Sequence, residues 1–388
     1  MNLAYVTAYD ASRLNGSNEW SGTGYHIAQA LKNQSSINLD YLGPLTEPMG
    51  LNSILKTRRI YHKLIDGKKY QVDPNPMRLK AYANQIRAKI DRSSIPLDVV
   101  FSATVNPIAY LECKQPIVFW ADATFANIQN FYPIYSNLSR ATIRDWHQME
   151  TLALQRAQLA IYSSDWAAKS AIQDYGADPL KVKVVCFGSN VDSSFTAQTI
   201  QSAISARPKD RCKLLFLGVD WIRKGGNTAY EVAKQLNKSG LPTELTIVGC
   251  DPVLDTPIPD FVKPLGFISK ATPAGRERIS QLLLESHLLI LPTVADCTPI
   301  VFGEANALGV PCLSTTVGGV PTIVHNGANG QLFSPNSQIS EYCDYITNLF
   351  GDYANYKALA LSAFNEYESR LNWRVAGLHI KSLLETIL

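Results

Sequence analysis

Asp296 and Glu304, with seven residues between them, are the two side chains whose types and spacing point first to chemistry. An apolar strand, Leu288 to Leu291, runs into the loop that holds Asp296. A helix is expected to open at Thr298 and Pro299 and to carry Glu304. Thr298 suits the N-cap, where its hydroxyl can accept from an amide two or three residues on. Pro299 suits the first helical position, where a missing N–H costs nothing. The amides around Ile300 and Val301 then face an anion. Glu304 follows Ile300 by four residues, so it lies on the same helix face about one turn further in. A carboxylate there repels phosphate but accepts two hydrogen bonds from a ribose diol. Asp296, on the other side of the anion position, can accept from hydroxyls of a group attached beyond it. One anion flanked by two hydroxyl-rich groups describes a nucleotide sugar. Taken alone, the same residues also describe an ordinary carboxylate near a helix start and a surface loop Asp.

The elements around this pair are a second strand, Val310 to Ser314, and a Gly318-Gly319 turn. Together they make a strand–loop–helix–strand unit of the kind that holds phosphate at a helix mouth. Upstream, FLGVDWIRKGGNTAYEVAKQL (Phe216 to Leu236) reads as a strand, a turn with Arg223 and Lys224, and a helix. LTIVGC (Leu245 to Cys250) is the next buried strand and ends at Gly249, and LGFIS (Leu265 to Ser269) follows. In order and spacing this set resembles the family-4 retaining glycosyltransferases of GT-B fold, over Cys212 to Phe333. The rest of the chain resembles them loosely, and residues 40–100 only weakly. The family's Glu-x7-Glu and Gly-Gly turn appear here as Asp296-x7-Glu304 and Gly318-Gly319.

The resemblance implies an α/β protein with two Rossmann-like domains facing a central cleft. It implies Lys224, with Arg223 nearby, against the donor diphosphate, and Phe267 and Ile268 offering backbone groups to the base. Gly249, Thr298, Pro299, Ile300 and Val301 would complete the donor contacts. Asp296 would hold sugar hydroxyls and Glu304 the ribose. The activity implied is metal-independent transfer with retention from a nucleotide-diphosphate sugar, UDP-sugar first and GDP-sugar next, of hexosyltransferase type. No cofactor is expected beyond that co-substrate, and no metal. Two departures stand out. The first acid is Asp, shorter than Glu by about 1.5 Å of reach. Val219 follows Gly218 where many relatives carry Arg, which leaves that work to Arg223. A nucleotide-sugar epimerase or phosphorylase of similar fold, and a non-catalytic nucleotide-sugar binder, remain open alternatives.

In the first half, strand Leu3 to Thr7 precedes a long loop, Ala8 to Trp20, and Ser21-Gly22-Thr23-Gly24 then opens a helix, Tyr25 to Lys32. This is not the dinucleotide fingerprint, because no third glycine follows. The resemblance implies that Gly22 and Gly24 approach the donor phosphates and the acceptor. Strands Leu97 to Phe101 and Pro116 to Trp120 lead to Asp122, the polar candidate where many relatives place a His. Helix Ile143 to Gln158, strand Leu159 to Ser163, a helix capped by Ser164-Asp165, and strand Lys183 to Phe187 run on to the turn Gly188 to Asp192. The expected domains are 1–192 on the acceptor side, a passage over 193–211, and a nucleotide-sugar domain over 212–365. Residues 366–388 are expected to hold a closing helix, Trp373 to Ile387, that packs back on the first domain. Strand–helix alternation throughout argues for parallel sheets covered on both faces.

The chain has 388 residues, 46% hydrophobic and 18% charged, which fits two ordinary globular domains. No apolar run is long enough to span a bilayer, and the start, Met1 to Val6, lacks a secretion signal's basic and apolar regions. A cytoplasmic location is expected, with peripheral membrane contact left open. Seven scattered cysteines without a CxxC pair argue against a zinc site or a disulfide framework. The net charge of +3 hides a basic stretch: Lys56 to Arg92 carries eleven Lys/Arg against three Asp, and the remainder is acidic. That balance disfavours nucleic acid as a partner. Apolar residues mixed into the stretch, Ile54 to Ile65, fit a solvated helical face, a surface for anionic lipid or a dock for a phosphorylated acceptor. The acceptor (glycan, lipid or small metabolite) carries no signature.

Overall fold

The computed structural model describes residues 1–14, 20–191 and 195–388. Part of the Ala8 to Trp20 loop, Asp192 at the end of its turn, and the first residues of the 193–211 passage lie outside the described residues. The chain divides into two compact units: Met1–Cys186 with Ala376–Leu388, and Phe187–Val375.

The first unit holds β1 (Asn2–Val6), β2 (Asn38–Tyr41), β3 (Val99–Ser102), β4 (Ile117–Ala121), β5 (Ala157–Tyr162) and β6 (Val182–Val184) in the order β2-β1-β3-β4-β5-β6, all parallel. β3 and β4 are buried at every position. This is why they read as near-continuous apolar runs, with Ser102 the one polar residue, as strands covered on both faces do. The helix expected from Ile143 starts earlier, at Arg140, because Ser139 caps it and accepts from the Thr142 amide. Ser164 caps the helix Asp165–Gln173, accepting from the Ala167 amide at 3.3 Å. The helix Trp373–Glu385 lies against the helix Thr23–Lys32 so closely that a Cβ on Gly377 would sit 2.5 Å from the Ala30 carbonyl oxygen.

The second unit holds β7 (Cys212–Leu217), β8 (Thr243–Val248), β9 (Val262–Pro264), β10 (Leu288–Ile290), β11 (Cys312–Thr315) and β12 (Gly330–Phe333). Their order is β12-β11-β10-β7-β8-β9, again all parallel. Counted from β7, the strands run 3-2-1-4-5-6, the doubly wound Rossmann order. The order reverses between β7 and β10, the switch point at whose carboxyl ends sheets of this order bind their ligands. Residues Ala197–Ala206, within the stretch read as a passage, form a helix capped by Thr196 that buries Ile200 and Ile204. Arg207, just after it, is buried; its guanidinium donates to the carbonyls of Leu284, Leu308 and Gly309 and to the Tyr356 hydroxyl.

His287, at the foot of β10, is buried with one tautomer fixed. Its Nδ1 accepts from the Lys213 amide at 3.0 Å, which leaves Nε2–H to donate to the Pro208 carbonyl at 2.8 Å. Burial pushes its pKa down to about 4; the Pro208 carbonyl opposes this, and Arg207 and Lys213 add to it. Between pH 6.5 and 4 the unfolded chain therefore takes up a proton that the native chain refuses. Stability is expected to fall over that window by about 1.4 kcal/mol per pH unit from this group, and to be unaffected by it above pH 7. Urea unfolding of the protein and of His287→Asn from pH 7 to pH 4.5 checks this. The variant should show the shallower slope, and equal slopes would refute the assignment.

Candidate active site

The turn after β7 is built around a backbone that has no room for side chains. Gly225, at φ 79°, caps the helix Gly226–Lys238, and a Cβ there would meet the Pro292 carbonyl oxygen at 2.0 Å. This close approach ties the β7 turn to the β10 loop. Two hydrogen bonds reinforce it: the Val294 amide and the Thr293 hydroxyl both donate to the Arg223 carbonyl, at 2.8 and 3.0 Å. Arg223 in turn reaches across, its Nη1 donating to the Ala295 carbonyl at 3.1 Å and lying 3.9 Å from the Asp296 carboxylate. Its Nε stands 3.4 Å from Asp220. Lys224 forms a direct ion pair with Asp296. The Asp296 carbonyl accepts from the Gly319 amide at 3.2 Å, so the Gly318-Gly319 turn holds the acid's own backbone. Arg223, Lys224 and Asp296 are thus brought together at the β7–β10 crossover.

Glu304 is 1% exposed and sits in the helix Ile300–Ala307. It forms an ion pair with Lys270, whose side chain is 39% exposed. The sequence reading stopped at Ser269 and missed Lys270. The pair spans 34 positions and depends on a loop closed by the Thr272 N-cap and by Arg276, which donates to the Lys270 carbonyl at 3.1 Å. The Thr272-Pro273 start of that helix was the available signal, because it fixes where the chain must turn just after Lys270.

The helix start differs from expectation by one residue. Pro299, not Thr298, is the N-cap, with φ −73° and ψ 103°, and its own side chain offers no cap bond. Proline's fixed φ suits that extended position as well as the first helical one, and its ψ decides between them. Ile300 and Val301 occupy the first two helical positions and are half-buried, and their amides have no partner within the helix. The Phe302 amide already bonds the Pro299 carbonyl at 3.2 Å. Thr298 is half-buried in the preceding loop.

The other candidates fall at neighbouring strand ends. Gly249 follows β8, and its amide bonds the Gly266 carbonyl at 2.9 Å. Phe267 and Ile268 lie in the loop after β9, with Phe267 largely exposed. In the first unit, Gly22 caps the helix Thr23–Lys32. Gly24 is buried: its carbonyl accepts from the Tyr5 hydroxyl at 2.6 Å, and a Cβ would collide with the Tyr9 hydroxyl at 2.2 Å. Asp122 follows β4 and accepts from the Trp20 indole at 3.3 Å. Beneath it lies Glu150, fully buried, which the sequence reading passed over. Phe125, which follows Asp122, is core, stacked on Trp146 at 5.2 Å.

Residues 197–365 match the family model described as glycosyl transferases, group 1. A D-inositol 3-phosphate glycosyltransferase of Rhodococcus erythropolis is 27% identical over 176 residues, 42% of this chain and 40% of that protein. The enzyme of that name from Paenarthrobacter aurescens is 23% identical over 297 residues, 73% of this chain and 71% of that protein. The alignments span 40–49% of the length of the first curated relatives matched. Among solved structures, sucrose-phosphate synthase from Thermosynechococcus elongatus superposes with TM-score 0.69 at 14% identity, covering 100% of this chain and 98% of that one. Anabaena Alr3699/HepE in complex with UDP-glucose superposes with TM-score 0.62 at 16% identity over the whole of both chains. The fold is GT-B, two Rossmann-like domains, and together these findings support a glycosyltransferase.

Proposed function

We propose that this chain transfers a sugar, with retention and without a metal, from a nucleotide-diphosphate sugar to a hydroxyl acceptor. UDP is the favoured nucleotide and GDP the next. The observation that carries this reading is the pair of lysine-bound carboxylates, Lys224–Asp296 and Lys270–Glu304, in the loops and helix that follow β7, β9 and β10. A UDP-glucose complex of one GT-B neighbour supports the choice of UDP.

The diphosphate takes its place at the mouth of the helix Ile300–Ala307, within reach of the Ile300 and Val301 amides. When the bond from the anomeric carbon to the phosphate oxygen breaks, negative charge grows on that oxygen. Arg223 and Lys224 neutralise it, the part a divalent ion plays elsewhere. The anomeric carbon becomes oxocarbenium-like. The acceptor oxygen bonds to it on the leaving-group face, and its proton passes to the departing phosphate oxygen. No protein base is needed in that sequence. Asp296 orients sugar hydroxyls and Glu304 accepts from the ribose diol.

Calorimetric titration with UDP, GDP and ADP, each with and without Mg²⁺, tests the binding half of this reading. Micromolar binding of UDP, unchanged by Mg²⁺, is the expected result. Preference for GDP would reassign the base. Binding of none of the three, or binding only with Mg²⁺, would overturn the proposal.

A further inference from the structure

The helix Leu51–Ile65 is attached to the first unit by very little. Only Leu51 and Leu55 are buried, in a small cluster with Tyr70 that is separate from the main core of that unit. His62 turns the same way, stacked on Tyr70 at 5.2 Å and bonded through Nδ1 to Asp66 at 2.6 Å. Five large apolar side chains of the helix face water instead: Ile54, Ile60, Tyr61, Leu64 and Ile65, with Leu64 73% and Ile65 67% exposed. Met49, just before the helix, is fully exposed as well.

Their placement around the axis is ordered. At about 100° per residue, the five exposed apolar residues fall within one arc of roughly 140°. Lys56 and Lys63 border that arc on one side and Arg58 on the other. The buried face, Leu51 and Leu55, lies outside it. The helix carries four Lys/Arg and no Asp or Glu. The nearby acids are engaged: Asp66 with His62, Asp73 and Glu47 with Arg78. The result is a mostly apolar stripe, with the small polar residues Ser53 and Thr57 among the five apolar ones, edged by cations on a helix about 22 Å long. Side chains of that kind bury their stems in acyl chains and lift their charges to the phosphate level.

We propose that the helix Leu51–Ile65 lies in the headgroup layer of an anionic bilayer. Ile54, Ile60, Tyr61, Leu64 and Ile65 insert between acyl chains, and Lys56, Arg58 and Lys63 meet lipid phosphates. A second protein surface would have to supply both an apolar groove and acids along its two edges; an anionic bilayer supplies both everywhere. The proposal rests on this surface alone and stands or falls separately from the sugar-transfer reading.

Co-sedimentation of the full chain with vesicles tests it, using phosphatidylcholine alone and an equal mixture of phosphatidylcholine and phosphatidylglycerol at physiological salt. The protein is expected to pellet with the mixed vesicles and not with phosphatidylcholine. The exposed-site double variant Leu64→Gln/Ile65→Gln should raise the lipid concentration for half-binding about tenfold or more. Lys56→Glu/Lys63→Glu should do the same through charge. Unchanged thermal melts would show that both variants fold. No pelleting with the mixed vesicles overturns the proposal, and so does full binding by the Gln pair. Light scattering supplies the third arm. A dimer that the Gln pair dissolves without any vesicle would assign the face to a second copy of the chain and overturn it too.

Discussion

Lys224→Ala and Glu304→Ala are each expected to cut sugar turnover by at least about 100-fold, the usual scale for losing one oxyanion-type contact. Lys224 is placed to lose most in kcat, since in the proposed reaction its charge matters most as the leaving phosphate gains its own. Glu304 is placed to affect binding of the ribose as well, so KM should rise beside the fall in kcat. The ion pairs also separate these effects from unfolding. Removing Glu304 leaves Lys270, which is 39% exposed and can turn to water. Removing Lys270 instead strands a carboxylate that is 1% exposed. Lys270→Ala should therefore lose fold stability, by roughly 3 kcal/mol, and Lys224→Ala should lose some as well, since it leaves buried Asp296 with only Arg223 at 3.9 Å, while Glu304→Ala melts near the parent. Steady-state kinetics with thermal melts on all three variants checks the set. Near-normal turnover in both Lys224→Ala and Glu304→Ala would sink the site assignment.

Glu150→Gln is expected to stabilise the first unit at alkaline pH. Glu150 is buried in the helix Arg140–Arg156, and one of its carboxyl oxygens has no hydrogen-bond partner among the described residues. Burial pushes its pKa up to about 8; the Phe125 amide opposes this, and the Asp122 charge adds to it. The sign follows from linkage. The native chain keeps this proton up to pH 8, while the unfolded chain releases it above about 4.5. The group's contribution to stability is whole below pH 4.5 and is lost as pH rises to 8, by about 1.4 kcal/mol per unit. Gln carries no such proton, so the variant should gain on the order of 4 kcal/mol over the parent at pH 8 and little at pH 5. Urea unfolding at the two pH values measures the difference. An equal gain at both would mean that packing, not titration, is responsible.

Most of the second unit's layout was legible because parallel strands covered on both faces leave unbroken apolar runs. Residues 214–217 of β7 and Leu288–Ile290 both read that way. The Arg223-Lys224-Gly225 turn was legible for a different reason, since cations and a left-handed glycine just past a strand have few ordinary uses. What was not legible depends on contacts far apart in the chain. Lys270 looks like any surface lysine until its loop folds over Glu304. Glu150 looks like any polar position on an amphipathic helix until the segment around Phe125 covers it. Pro299 fits two adjacent helix-start positions, and only its backbone angles tell them apart. The basic stretch was legible as apolar mixed with cationic. Its sorting, with Leu55 buried and Ile54 exposed beside it, is decided by the small cluster around Tyr70.

The two lysine–carboxylate pairs also bear on which anions the site will refuse. Each acid already holds a cation, so a diphosphate that draws Lys224 away takes it from Asp296. A sugar repays that loss by offering hydroxyls to the carboxylate. Free phosphate or pyrophosphate offers none, and leaves the buried Asp296 with only the more distant Arg223, 3.9 Å away. Discrimination against the abundant inorganic anions of a cell would then come not from the groups that bind phosphate but from the acids that would be left behind.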